Sequence, residues 1–237
     1  MATGFNVIRQ DTKRVRWPNL LDLRAALWRL ALHGAVCISV SSCGIYSAQE
    51  ITATVVDADS KDPIEGVNVV AHWAVRGGIN YGATVGYVNV METVTDKNGQ
   101  FHFSGWGPKP NLHLGEIRQK APALMLFKSG YRYTAVENGG GSLNAAPSTM
   151  TSDWNNRTIA MQRYVGSAPD YEAGFISLMT DTDNLERYGY WSDIPRFLCA
   201  LARENKSLAA SEVRNSLYSF KSLADVGLKC PTSGGEQ

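Results

Sequence analysis

The sequence predicts a mainly β protein, an antiparallel β-sandwich followed by a small α-helical tail. Three observations predict it. Residues 50–164 hold six or seven short alternating segments rich in β-branched residues, separated by turn residues. Residues 170–230 change to helical spacing of apolar positions. Ahead of both lies a basic and then apolar segment ending in a cysteine, which reads as an export signal and not as part of the fold. The expected organisation is therefore a signal segment at 1–42, a linker at 43–49, the sandwich at 50–164 and a C-terminal helical region at 165–237.

The 237 residues leave enough chain after the signal to bury a real core. The net charge is +1 and the charges are mixed along the chain. That balance gives no support for nucleic-acid binding or for a polybasic membrane surface. The apolar run from Leu30 to Ser42 follows Arg24 and Arg29. A spanning helix needs about 20 apolar residues, so the run is too short to cross a membrane and has the length of a secretory apolar core. It closes on Val40-Ser41-Ser42-Cys43-Gly44. Small residues before the cysteine let a peptidase hold the extended backbone, and Cys43 supplies a thiol for a diacylglyceryl group.

This stretch resembles the lipobox of bacterial lipoproteins. The resemblance implies lipidation at Cys43, a palmitate-labelled product, and a membrane contact made through an N-terminal lipid anchor. Gly44 in place of an aspartate implies sorting to the outer membrane, facing the periplasm. An ordinary cleaved signal with an incidental cysteine is the plainer alternative. The 29 residues ahead of the apolar run are long for a signal and carry Asp11 and Asp22, which suggests a translation start later than Met1.

In the sandwich, Ile51 to Val56 alternates as a strand, and Asp57 to Pro63 is a polar turn. Val67 to Ala74 follows, with Val67, Val69, Ala71 and Trp73 on one face and Asn68 and His72 on the other. Arg76 to Gly86, with its glycines, reads as a flexible loop, and Tyr87 to Thr95 as a third strand. Asp96-Lys97-Asn98-Gly99 is a tight turn with positive φ expected at Gly99, and Gln100 to Phe103 is expected to return antiparallel. Leu124 to Lys128 and Arg132 to Val136 are further strands. Residues 137–156 read as a long polar surface loop, and Thr158 to Arg163 as the strand that closes the sheet.

Four pieces now stand in order: Val55-Val56-Asp57, Pro63 to Val67, Thr95-Asp96-Lys97-Asn98-Gly99-Gln100-Phe101, and Lys128-Ser129-Gly130-Tyr131. Together they resemble the carboxypeptidase regulatory-like domain. The resemblance implies a transthyretin-like sandwich of seven antiparallel strands that serves as a non-catalytic scaffold or contact module. The Gly105-Trp106-Gly107-Pro108 piece resembles a variant found in exported proteobacterial proteins.

In the tail, Asp170 is expected to cap a helix to about Tyr188 with Tyr171, Phe175, Leu178 and Leu185 along one face. Asp193 and Pro195 open a second, carrying Phe197, Leu198, Leu201 and Ala202. Ser207 or Ser211 opens a third, with Val213, Leu217, Phe220 and Ala224, and Gly227 stops it. These faces pack on each other and on the sandwich, or present a partner-binding surface. With Cys37 removed in the signal and Cys43 acylated, Cys199 and Cys230 are left in an oxidising compartment. An even pair there favours a disulfide, the alternative being two separate buried thiols.

Little in the chain reads as an active site. His72 and His102 could share a face of adjacent strands and, with His113, hold zinc, but no pair has a recognised ligand spacing. There is no G-x-S-x-G, and Cys199 lies in an apolar helix, a poor setting for a thiolate. Asp57, Asp59 and Asp62 lack the Gly and distal Glu of an EF-hand and read as a solvated turn; Asp181-Thr182-Asp183 reads as helix surface. Gly139-Gly140-Gly141 reads as a linker. Trp106, held between two glycines, is the candidate ligand contact, either stacking on a sugar or partner or packing on the sandwich edge.

The expectation is thus a non-enzymatic envelope lipoprotein, a scaffold or interaction module without metal or cofactor, whose partner is an envelope protein or glycan. A carbohydrate- or peptide-binding module is the first alternative. A hydrolase whose site assembles only in the fold is the second.

Overall fold

A computed structural model describes residues 44–77, 82–118, 120–139, 149–210 and 230. They belong to one compact unit, Gly44–Gln237. Cys43 and the signal segment, Gly140 and Gly141, and the third helix expected over Val213 to Ala224 lie outside the described residues.

The protein is mainly β, a sandwich with a small helical part. The strands are β1 (Ile45–Ala48), β2 (Ile51–Asp57), β3 (Asn68–Gly77), β4 (Ala83–Val94), β5 (Gln100–Phe103), β6 (Trp106–Pro110), β7 (Ala123–Phe127), β8 (Thr134–Val136), β9 (Thr149–Met150) and β10 (Thr158–Met161). Helix α1 (Ala168–Arg187), a 3-10 turn (Trp191–Asp193) and helix α2 (Pro195–Ala210) follow. One sheet runs β4-β3-β7-β8, a second β10-β2-β5 and a third β6-β1-β9. The core between the sheets takes alternate residues of each strand: Ile51, Ala53 and Val55 of β2, Val69, Ala71 and Trp73 of β3, Phe101 and Phe103 of β5, and Leu124 and Leu126 of β7. Each of these is at most 2% exposed. The expected inward face of the second strand is thus the observed one.

The other face of the four-stranded sheet is buried as well. Val70, Met125 and Phe127 pack there against Phe175, Leu178 and Leu185 of α1 and Phe197, Leu198 and Leu201 of α2. The tail is therefore a third layer on the sandwich, and the helix faces expected from spacing are the ones that pack. Glu92 of β4 fastens it: its two carboxylate oxygens accept the backbone N–H groups of Arg196 and Phe197 at 3.0 and 2.9 Å. These are unpaired donors at the start of α2, where negative charge is favoured.

Several expectations are corrected. Helix α1 starts after Ser167, not at Asp170, because Pro169 fits its first turn; Ser167 Oγ donates to Asp170 at 2.7 Å. Ser207 lies inside α2. The turn after Thr95 does not make a hairpin, since β4 and β5 belong to different sheets. Thr95 is held to the β3 side, with its N–H on Val67 O and its hydroxyl on Ile64 O, and Asp96 then redirects the chain by accepting the N–H groups of Asn98 and Gln100. β5 consequently pairs antiparallel with β2.

Nor is the pairing wholly antiparallel. β10 runs parallel to β2, because Asn156 N–H and Asn155 Oδ1 bond the backbone of Thr52 and set the chain down beside the start of β2. β9 likewise runs parallel to β1 inside the expected surface loop. The expected loop at Arg76 to Gly86 contains the end of β3 and, from Ala83, the start of β4. Gly86 serves close approach there: a Cβ on it would stand 2.4 Å from the His113 ring.

Candidate functional site: a tyrosine cleft on the outer sheet face

The sequence candidates lie in separate parts of the fold. Trp106 lies on β6, half-buried, edge-on to the core residue Trp73 with ring centroids 5.2 Å apart. Lys109 Nζ sits 5.6 Å from its ring centroid and donates to Asn89 Oδ1 at 2.7 Å. Gly105 and Gly107 let the strand press on β1, where a Cβ on Gly107 would meet Ser47 Cβ at 2.4 Å. Cys199 and Cys230 form a disulfide with Cα atoms 5.4 Å apart, fixing α2 to the chain end.

The three candidate histidines are dispersed. His72 is on β3 and His102 on β5, in opposite sheets, so they do not share a face as expected. His102 Nδ1 bonds Thr52 Oγ1 at 3.1 Å, and His113 stacks edge-on to Tyr188. Among the described residues, no three His, Cys, Asp or Glu side chains group where they could share a metal ion.

Asp57 corrects the expectation of a solvated turn, for it is only 1% exposed. Its carboxylate accepts the N–H groups of Asp59 and Ser60 at 3.0 and 3.1 Å, Tyr131 OH at 3.1 Å and Arg163 Nε at 2.5 Å. The backbone N–H of Ser60 and the Arg163 guanidinium are the main causes that hold this carboxyl well below the usual carboxylate range. The node ties β2 to the turn after β7 and to the end of β10, and with its acceptor sites filled it has no call on a cation.

Beside that node opens a cleft of about 240 Å³ between the four-stranded sheet and α1. Phe127 closes it at the end of β7, Tyr131, Arg132 and Tyr133 follow from the next turn, Tyr164 comes from beyond β10, and Tyr171, Gly174 and Phe175 come from α1. The tyrosine hydroxyls are all committed elsewhere. Tyr131 donates to Asp57, Tyr133 to Asp181 Oδ2 at 2.7 Å, Tyr164 to Ser167 O, and Tyr171 to Glu204 Oε1 at 2.6 Å. Burial first, and then the carboxylate partner, raises the pKa of Tyr133 and of Tyr171, so both stay neutral hydroxyls. With their tips anchored, the rings are fixed, and what they offer the cleft is ring face and edge.

Tyr164 and Tyr171 stand 4.7 Å apart, and the Arg132 guanidinium lies 5.5 Å over Tyr164. Arg132, Asp170 and Ser177 add polar groups to this aromatic wall. Gly174 opens it further, for a Cβ there would meet nothing within 4 Å. Sequence reasoning did not gather these tyrosines, because Tyr131 and Tyr133 lie about thirty residues before Tyr164 and Tyr171 and no local pattern joins the two groups.

No family model matches the chain, and no curated protein matches it. Among solved structures it is similar in part to 3-chlorocatechol 1,2-dioxygenase from Rhodococcus opacus 1CP, at 13% identity over 52% of this chain and 62% of that one, with TM-score 0.28. It is also similar to the group B streptococcus pilus 2b backbone protein, at 16% identity over 49% of this chain and 41% of that one, with TM-score 0.25. A third is a type II cohesin–X-dockerin complex from Acetivibrio cellulolyticus, at 14% identity, 48% and 58% coverage and TM-score 0.20. The chain spans less than two thirds of each of these proteins. At such identities and TM-scores the likeness says nothing about activity.

Proposed function

We propose that this chain is a non-enzymatic interaction module of the bacterial envelope, held to the outer membrane by a lipid on Cys43. Its sandwich is of the carboxypeptidase regulatory-like kind, and the tyrosine cleft receives one sugar ring of an envelope glycan. The observation that carries the reading is the cleft itself: fixed aromatic faces beside Arg132, Asp170 and Ser177, in about 240 Å³. Aromatic faces take the C–H side of a sugar, and the charged and hydroxyl groups take its hydroxyls. A cavity of about 150 Å³ holds a benzene, so this cleft suits one ring with its substituents. The family motif fits its structural roles, since Thr95 and Asp96 make the corner, Gly99 has φ +69° and Phe101 enters the core.

The test uses Gly174→Leu. The new side chain projects into open space in the cleft, and leucine is a better helix residue than glycine, so the fold is retained. Methyl glycosides of hexoses and N-acetylhexosamines, and a blocked phenylalanine peptide, are titrated into wild type and variant and followed by NMR. Sugar-dependent shifts around Tyr164 and Tyr171 that vanish in Gly174→Leu support the reading. Shifts with the peptide alone replace the glycan by a protein partner, and no shift with either removes the cleft from the function.

A further inference from the structure

Four large apolar side chains stand exposed among the described residues, and three of them gather at one end of the sandwich: Ile45 at 64%, Leu112 at 82% and Leu114 at 90%. Strand β6 runs antiparallel to β1 with Pro110 opposite Ile45, so the loop that leaves β6 emerges where the chain enters β1. Asn111 N–H donates to Gly44 O at 2.8 Å and closes that corner. Cys43 directly precedes Gly44 in the chain.

The loop is built to hold its leucines outward. Asn111 is buried, and its side chain donates to Gly115 O and accepts the N–H of His113, both at 3.0 Å, which folds the loop on itself. The His113 ring turns inward, edge-on to Tyr188. Leu112 and Leu114 flank it and point the other way. Past the loop, Glu116 and Arg76 exchange two backbone hydrogen bonds at 2.8 Å, and Ile117 enters the core. Residues 110–115 hold no Asp, Glu, Lys or Arg. Exposed apolar side chains scattered singly are ordinary, whereas a fixed, uncharged cluster of them marks a contact surface.

We propose that this loop is a lipid-contacting tip, in which Leu112 and Leu114, with Ile45 beside them, enter the membrane surface next to an acylated Cys43. The proposal rests on the lipid anchor of the preceding reading. The position of Cys43 is what selects lipid as the occupant. An anchor at the base of the loop makes the contact with the bilayer intramolecular, so a tip of two or three aliphatic side chains suffices. The contact also sets the direction of the module. The pairs Ala48 with Trp106 and Ile51 with Phe103 continue one antiparallel ribbon from β1 and β6 into β2 and β5, so Gly44 and Asp57 mark its opposite ends. Tyr131, which donates to Asp57, lines the tyrosine cleft. Lipid at the tip therefore turns the cleft away from the membrane.

The experiment is NMR of the mature acylated protein, with ¹³C-labelled Ile, Leu and Val methyl groups, in nanodiscs of phosphatidylethanolamine and phosphatidylglycerol. Doxyl-labelled lipid is expected to abolish the Leu112 and Leu114 methyl signals, and an aqueous gadolinium chelate to leave them sharp. Val165, 81% exposed and beyond the far end of β10, should do the reverse. In Leu112→Ser/Leu114→Ser, unchanged signals of the core residues Leu124 and Leu126 show that the fold is kept, and Ile45 loses its shielding from the chelate. Palmitate labelling of the same preparation separates the two readings. Label present with Leu112 and Leu114 open to the chelate overturns the tip alone, and label absent overturns the anchor and the tip together. Leu112 and Leu114 signals that shift with protein concentration in lipid-free Cys43→Ser assign the tip to a second copy of this chain and overturn the proposal as well.

Discussion

Gly99 offers the sharpest check on the fold, because two separate costs can be read there and a second glycine supplies the control. Gly99 has φ +69° and Gly130 has φ +80°, so alanine at either must enter the left-handed region. That conformational cost is about 1 kcal/mol. At Gly130 nothing lies within 4 Å of the added Cβ, and the cost stops there. At Gly99 the Cβ would stand 2.4 Å from Val55 O, which accepts Ile64 N–H at 3.0 Å, and Gly99 O itself accepts Val55 N–H at 2.7 Å. Relieving the contact separates the corner from β2 and weakens both bonds, each contributing about 1 kcal/mol. The sum is about 3 kcal/mol for Gly99→Ala against about 1 for Gly130→Ala. For a chain of this size 1 kcal/mol shifts the melting midpoint by about 2–4 °C, so shifts of about 9 and about 3 °C are expected in thermal melts followed by circular dichroism. Equal shifts in the two variants would refute the contact argument, and an unchanged midpoint in Gly99→Ala would refute the corner itself.

The Cys199–Cys230 disulfide closes a separation of 31 residues, so a Cys199→Ser/Cys230→Ser variant should lose about 3–4 kcal/mol in denaturant unfolding; thiol titration of the denatured, unreduced mature protein should find none free. The Asp57 carboxyl is depressed in the fold, so the stability it contributes is present above its unfolded pKa, about 3.9, and is lost as pH falls through the lower folded value. Melting midpoints of wild type should therefore drop below about pH 4 more steeply than those of Asp57→Asn, and parallel curves would sink this assignment. Palmitate labelling should mark wild type and not Cys43→Ser, and equal labelling would remove the anchor.

How much of this was legible in the sequence depends on whether the signal was local. The inward face of β3 followed from alternation, the positive φ at Gly99 from Asp-Lys-Asn-Gly, and the buried faces of α1 and α2 from helical spacing. Pairing partners did not follow, because a tight turn is the same local object in a hairpin and in a corner between sheets. What decided for the corner was Thr95, whose bonds to Ile64 and Val67 reach 31 and 28 residues back along the chain. Asp57 was misread for a related reason. Its nearest neighbours are polar and solvated, while the groups that bury it, Tyr131 and Arg163, lie 74 and 106 residues away.

One signal was present and not used. Val69-Val70-Ala71 in β3 and Ala123-Leu124-Met125-Leu126-Phe127 in β7 are continuous apolar runs, not alternations. A strand with one wet face has no use for Val70 or Phe127, so such runs mean burial on both faces. Two-sided burial implies that something covers the outer face, and the apolar faces of the tail helices do so. The same reasoning locates the cleft. A straight helix laid on a twisted sheet cannot stay in contact along its whole length. Packing is dense where Phe175, Leu178 and Leu185 meet Val70 and Phe127, and the surfaces part near the start of α1, where Gly174 supplies no side chain. Tyrosines suit such a parting, since their hydroxyls reach Asp57, Asp181 and Glu204 while their rings remain at the wall. The cleft thus follows from the tail being a third layer, and a chain shortened before Ala168 would lose the site.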